Sequence, residues 1–166
     1  MRPGPLTPGW RYAPNMADRT TSSITIGVPR ASVMAVIADF PAYPDWATGV
    51  RATEVLQQLP DGRARRVRFT LDAGIIKDRF VLCYEWDGDA GVRWELDPAE
   101  SGSMISKLSG GYALADCGAG TEVDYDLTIG IRIPVIGPVK RKAEKTIIDT
   151  ALKGLKTRAE NGGGAA

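Results

Sequence analysis

The chain has 166 residues, 43% of them hydrophobic and 25% charged, the mix of an ordinary globular domain large enough to bury a core. Its 21 basic and 20 acidic side chains leave a formal net charge of +1, which removes the electrostatic case for nucleic acid as a partner. Histidine is absent, so no Ser-His-Asp or Cys-His mechanism can be built from this chain, and the commonest metal ligand is missing.

Cys83 and Cys117 match no zinc spacing and read as two reduced thiols of a cytoplasmic protein. The glycines form neither a GxGxxG nor a P-loop spacing, so no cofactor, no metal and no catalytic residue is assigned from motifs. Residues 1–15 carry four prolines and no apolar run that could serve in a secretion signal. No segment approaches the roughly 20 apolar residues of a membrane span. The expected layout is a disordered extension over 1–17, one domain over 18–160 and a loose tail over 161–166.

In chain order, Ile24, Ile26 and Val28 alternate and predict a strand over 20–28. Pro29 suits a helix start, Val33, Val36, Ile37 and Phe40 follow at helical spacing, and Pro41 ends the run. A second short helical turn is expected at Tyr43-Pro44-Asp45-Trp46. The pattern then changes to period two, predicting strands over 51–59, 64–72, 77–86, 92–98, 103–115 and 121–132. Short glycine-rich connections between them mean antiparallel neighbours. A long helix over 135–160 closes the chain, with Ile136, Val139, Ala143, Ile147, Ala151 and Leu155 as its inward stripe and Ile148 and Leu152 widening it. The fold class is therefore α+β: a curved antiparallel sheet of seven strands, two short helices after the first strand, and a long C-terminal helix across the sheet.

The alternation puts Phe69, Leu71, Phe80, Leu82, Tyr84, Trp86, Trp94, Leu96, Leu108, Tyr112, Tyr125 and Leu127 on one face, opposite Ile147 and Ala151 of the helix. Plain core explains such a set. So does a cavity, because a bent sheet and one helix do not fill the space between them, and Tyr and Trp bring polar handles into it. Alternate turns of a meander share one end of the sheet. That end would gather Ile75 and Ile76, Met104 and Ile105, and Val135 and Ile136. Lys77, Arg79, Lys107, Lys140 and Arg141 lie near them, so this end reads as a cavity mouth, a membrane-touching tip, or a closed end of the core.

Asp39 followed by Tyr43-Pro44-Asp45-Trp46, then Gly120-Thr121-Glu122-Val123, and the ending Leu152-Lys153-Gly154-Leu155-Lys156-Thr157-Arg158-Ala159-Glu160 resemble the SRPBCC superfamily. This is the helix-grip fold of START and polyketide-cyclase-like domains. The resemblance covers roughly 18–160 and is nearest the bacterial polyketide cyclase/dehydrase and coenzyme-Q-binding START subgroup. It implies a cavity between sheet and helix for a lipid, sterol, quinone or polyketide, and carries over no catalytic motif. It also implies a structural role for Asp39 and Tyr43–Trp46, with Trp46 plugging one end of the core.

Three functions follow as expectations. The first is binding or transfer of a hydrophobic small molecule, with a transient membrane contact. The second is a cyclase or dehydratase, which without histidine would use Tyr84, Tyr112, Tyr125 or an inward carboxylate; Glu85, Glu95, Asp124 and Asp126 have the outward parity. The third is a protein-interaction module, because Val81 and Cys83 are apolar on the wet parity. The sequence does not fix the oligomeric state.

Overall fold

The structure, a computed structural model, describes residues 19–74, 76–132 and 137–162. The chain runs β1 (Thr20–Ile26), α1 (Arg30–Ala38), a 3-10 turn (Phe40–Ala42) and α2 (Tyr43–Trp46). It continues through β2 (Val50–Gln58), β3 (Ala64–Ala73), β4 (Ile76–Asp87), β5 (Gly91–Leu96), β6 (Ile105–Cys117) and β7 (Gly120–Ile131), and ends in α3 (Gly137–Glu160). The expected extension over 1–17, and 163–166 of the expected tail, lie outside the described residues.

The strands form one antiparallel sheet of seven, in the order β1-β7-β6-β5-β4-β3-β2. The meander β2 to β7 follows from the short turns. β1 pairs with β7 at the far edge, so the segment between β1 and β2 must cross the width of the sheet. That crossing is what α1, the 3-10 turn and α2 accomplish. They carry Val33, Val36, Ile37, Phe40, Tyr43 and Trp46 into the core as they go. Register shifts in β2 against β3 and at the start of β6 against β7 mark the irregularities that bend a sheet around a core.

Two consecutive glycines on β6 clear both faces of the sheet. Trp94 pairs with Gly110, and a Cβ there would lie 3.2 Å from the indole Nε1 and 2.5 Å from the Asp126 carbonyl oxygen. On the outer face Arg93 pairs with Gly111, and a Cβ there would meet Arg93 Cδ at 2.5 Å. The missing side chain lets the Arg93 guanidinium reach across β6 to the Asp126 carboxylate of β7.

α3 lies on the sheet as expected, but its inward face differs from the predicted stripe. Ile148, Leu152, Leu155 and Ala159 are buried, whereas Val139 is 53% exposed, Ile147 38% exposed and Ala143 exposed. The reason is geometric. A line of every fourth residue drifts about 40° per step on a helix of 3.6 residues per turn, so Val139 and Leu155 point about 160° apart. Ile136 of that stripe lies outside the described residues.

The true inward line begins with Glu144, only 1% exposed. Its carboxylate accepts hydrogen bonds from Thr20 Oγ1 (2.7 Å) and from the backbone N–H of Ile129 (3.0 Å). The β1 ladder on β7 begins at Thr20 opposite Leu127, so Ile129 lies beyond the paired residues and Glu144 satisfies its N–H.

Candidate ligand cavity

The inner face of the sheet and α3 enclose a cavity of about 360 Å3. The alternation of the strands builds its walls. Leu71, Phe69, Phe80, Leu82 and Tyr84 come from β3 and β4, Trp94 from β5, Leu108 and Tyr112 from β6, and Tyr125 and Leu127 from β7. Ile147 and Ala151 face them from α3. Twelve of the 14 residues singled out from sequence therefore line one space.

Two do not. Trp86 has the inward parity but sits at the closed end of the sheet, where it stacks on Tyr84, meets Phe40 edge-on and donates its indole N–H to the Ala64 carbonyl (2.7 Å). The Arg63 guanidinium covers its ring at 5.0 Å from the centroid. Leu96 ends β5 opposite Leu82, beyond the last β5–β6 pair at Glu95 and Ser109, and packs against the core outside the cavity wall.

Sequence reasoning missed the contribution of the crossing segment and the β2 start: Tyr43, Trp46, Ala47, Thr48 and Val50. It also missed Thr146 and Thr150 of α3, Ala73 near the β3–β4 turn and Ile129 of β7, and it named Ile76 and Ile105 only for the mouth. Parity reveals which strand residues face inward, but not which helix covers which edge.

The predicted gathering of turns occurs. Asp78 on β4 accepts from the backbone N–H groups of Ser103 (2.9 Å), Met104 (3.0 Å) and Ile105 (2.7 Å). Arg132 N–H donates to the Met104 carbonyl. Burial pushes the Asp78 carboxyl up, but these backbone donors and that of Arg79 outweigh it and hold the group below its ordinary value. The described residues named for the mouth lie in different places. Ile105 is fully buried in the wall, and Met104 does not line the cavity. The exposed wall residues Thr48, Ala73, Thr146 and Ile147 mark an opening between α3 and the β2–β3 edge. α3 packs chiefly on β1 and β7, away from that edge. Of the other residues named for the mouth, Ile76 lines the cavity near this edge, while Ile75, Val135 and Ile136 lie outside the described residues.

The chemistry of the wall is uneven along its depth. Phe80, Leu82, Leu108, Leu127 and Ile129 give an apolar lining. Deeper, Tyr84, Trp94, Tyr112 and Tyr125 form a chain of rings with centroids 4.6 to 5.8 Å apart. Tyr43 Oη donates to the Ile37 carbonyl (2.6 Å). The hydroxyls of Tyr84, Tyr112 and Tyr125 make no hydrogen bond to a described residue, and none is among the sealed, unpartnered atoms. Burial pushes all four tyrosine hydroxyls well above their ordinary value, so they stay protonated donors. No Asp, Glu, Lys or Arg belongs to the described wall.

The outer face carries the charge. Glu85, Glu95 and Asp124 are exposed, and Asp126 pairs with Arg93. Val81, a candidate contact residue by parity, is fully buried. The segment after β5 folds over that part of the sheet, with Asp97 paired to Arg66 and Glu100 to Arg68. Among the described residues no cluster of His, Cys, Asp and Glu could hold a metal ion, and no helix is long and apolar enough to cross a membrane.

The sequence family described as polyketide cyclase/dehydrase and lipid transport matches residues 17–160. The chain belongs to this family. Solved structures agree at the level of the fold. A START superfamily protein from Mycobacterium smegmatis is 19% identical, covering 86% of this chain and 97% of its own, with a TM-score of 0.78. The Zhui aromatase/cyclase from a Streptomyces species is 15% identical, covering 87% and 94%, with a TM-score of 0.71. A protein from Thermus thermophilus is 23% identical, covering 85% and 96%, with a TM-score of 0.69. No curated protein matches the sequence.

Membership of the polyketide cyclase/dehydrase and lipid transport family agrees with the helix-grip architecture, which brings two distant motifs together. Trp46 of the Tyr-Pro-Asp-Trp turn lies against Gly154 of the C-terminal motif, where a Cβ would come 2.5 Å from the Trp46 carbonyl oxygen.

Proposed function

We propose that this protein binds, and in doing so carries, a hydrophobic small molecule of lipid, quinone or polyketide-like character in the cavity between the sheet and α3. The observation that carries the reading is a mainly apolar cavity of about 360 Å3 whose described wall includes the exposed residues Thr48, Ala73, Thr146 and Ile147. That volume falls within the roughly 300–1,000 Å3 of small-molecule sites. Organic extraction of the purified, folded protein followed by mass spectrometry tests it. A stoichiometric apolar compound is expected; an empty extract together with no saturable uptake of any apolar probe would overturn it.

One similar solved structure is named an aromatase/cyclase, and cyclisation is the second reading. The wall chemistry favours holding. Its described residues offer protonated hydroxyls but no carboxylate to act as base, and the buried Glu144 is engaged by Thr20 and Ile129 outside the wall.

Transient contact with an anionic membrane belongs to the same proposal. Val139 and Ile147 are the exposed large hydrophobic side chains of the described residues, and Lys140, Arg141 and Lys142 stand beside them on α3. None of these three cations is in an ion pair with a described residue. Apolar side chains within a basic collar suit an interface whose anionic headgroups overlie an apolar layer. Flotation with phosphatidylglycerol-containing vesicles should recover the protein at low salt. Equal recovery with neutral phosphatidylcholine vesicles would contradict the contact.

A further inference from the structure

The cavity gathers its ring donors away from the opening, and that placement restricts what enters and which way round. Near the open edge the wall is Leu71, Ile76, Phe80 and Ile147, with the threonines Thr48 and Thr146 among them. At the inner end three tyrosine hydroxyls, of Tyr84, Tyr112 and Tyr125, meet no partner among the described residues, and neither does the indole N–H of Trp94. All four side chains are at most 8% exposed. These donors open onto the cavity and are not sealed, so an occupant with an oxygen there takes the place of water as their acceptor. Gly110 is part of the same device, since a Cβ at that position would crowd the Trp94 indole nitrogen.

Three properties of the occupant follow. It carries at least one acceptor oxygen, because Trp94 Nε1 donates only and the hydroxyls donate readily. It is neutral at that end, because no Lys or Arg of the described wall would pair a carboxylate and no Asp or Glu would pair an amine. Its oxygenated end is flat, because the surrounding surface is a set of rings at stacking and edge distances.

We infer that Tyr84, Trp94, Tyr112 and Tyr125 form a specificity-determining cluster that takes the oxygenated end of a neutral ring compound innermost, and that this cavity discriminates against fatty-acid carboxylates. The inference rests on the ligand-holding reading and narrows it.

The test is titration of the full-length protein, after organic extraction, with 2-naphthol, naphthalene and laurate, followed by calorimetry or tryptophan fluorescence. 2-Naphthol should bind at least tenfold more tightly than either of the others. Tyr112→Phe and Tyr125→Phe keep the ring and remove only the hydroxyl. Each should weaken 2-naphthol about 2- to 10-fold, the worth of one hydrogen bond, while leaving naphthalene unchanged. Equal affinity for 2-naphthol and naphthalene would mean that water satisfies the hydroxyls, and would overturn the inference. Saturable laurate binding tighter than 2-naphthol would also overturn it while leaving the cavity a ligand site. Failure of all three probes to bind saturably would overturn both the inference and the reading on which it rests.

Discussion

A Cβ on Gly154 would lie 2.5 Å from the carbonyl oxygen of Trp46, so α3 and α2 meet backbone against backbone. Alanine is the better helix former by about 1 kcal/mol, but the atom it would strike is main chain and has no rotamer to yield. A Cβ this close to main chain puts overpacking in the upper part of its usual range, about 2–3 kcal/mol, and that decides the sign. Gly154→Ala should lower the stability in urea by about 1–2 kcal/mol, whereas Lys153→Ala, on the exposed side of the same turn, should stay within about 0.5 kcal/mol. An unchanged midpoint in Gly154→Ala would contradict the contact.

Glu144 ties α3 to both β1 and β7. Glu144→Met keeps much of the bulk but removes both acceptors, leaving the Thr20 hydroxyl and the Ile129 N–H without a partner. The expected cost is about 1–3 kcal/mol. Combined with Thr20→Val, the losses should be less than additive in a double-mutant cycle. Strict additivity would show that the two groups act independently.

Below neutrality, stability should hold and then fail as the tethered carboxylates protonate. Asp78 is held low because its backbone donors outweigh burial, Asp97 by Arg66, Asp149 by Lys145 and Ser22, and Glu160 by Lys156 and the Gly27 N–H. A carboxylate depressed in the folded state contributes stability above its unfolded value, about 3.9 for Asp and 4.3 for Glu, and loses it as pH falls through the folded value. Thermal midpoints should therefore change little from these groups above about pH 5 and drop below about pH 4. Asp78→Asn should be less stable at pH 7 and show a shallower acid drop. An acid drop identical to that of the parent protein would exclude Asp78 as a contributor.

At alkaline pH the tyrosines work in the opposite direction. The folded-state values of Tyr43, Tyr84, Tyr112 and Tyr125 are raised above their ordinary value by burial. Their contribution is intact below the unfolded value of about 10 and is lost as pH climbs from there toward the folded values. Of the five tyrosines in the chain, no more than one should titrate near pH 10 by ultraviolet absorbance before the protein unfolds. Four ordinary titrations in folded protein would show that the rings are solvated.

Much of this was legible in the sequence because strand alternation is a local signal. Val67, Phe69 and Leu71, or Val123, Tyr125 and Leu127, announce an inner face without knowledge of the partner strand. The β2 to β7 meander followed from turn lengths and the long helix from its periodicity, whereas the place of β1 beside β7 had no local signal. What was not legible depends on placement. Trp86 has the same parity as Tyr84, yet it seals the closed end because Phe40 packs there. Val81 has outward parity, yet the Asp97–Glu100 segment covers it. Ile147 and Val139 look like core in an every-fourth-residue line, but helical drift carries Val139 out to solvent and Ile147 to the rim of the inward face. Ile147 then borders the cavity mouth. Gly110 and Gly111 give no local hint that one clears Trp94 and the other Arg93.

The central claim is that the space between the sheet and α3 takes up an apolar molecule. It is tested most directly by titrating extracted protein with 1-aminoanthracene, a neutral apolar fluorophore, in parallel with Leu82→Arg. Leu82 lines the cavity and is 5% exposed, so a guanidinium there would occupy and charge the space. The account predicts saturable uptake of one fluorophore per chain, and none in a Leu82→Arg variant whose circular dichroism shows it folded. Undiminished uptake by that folded variant would contradict the claim.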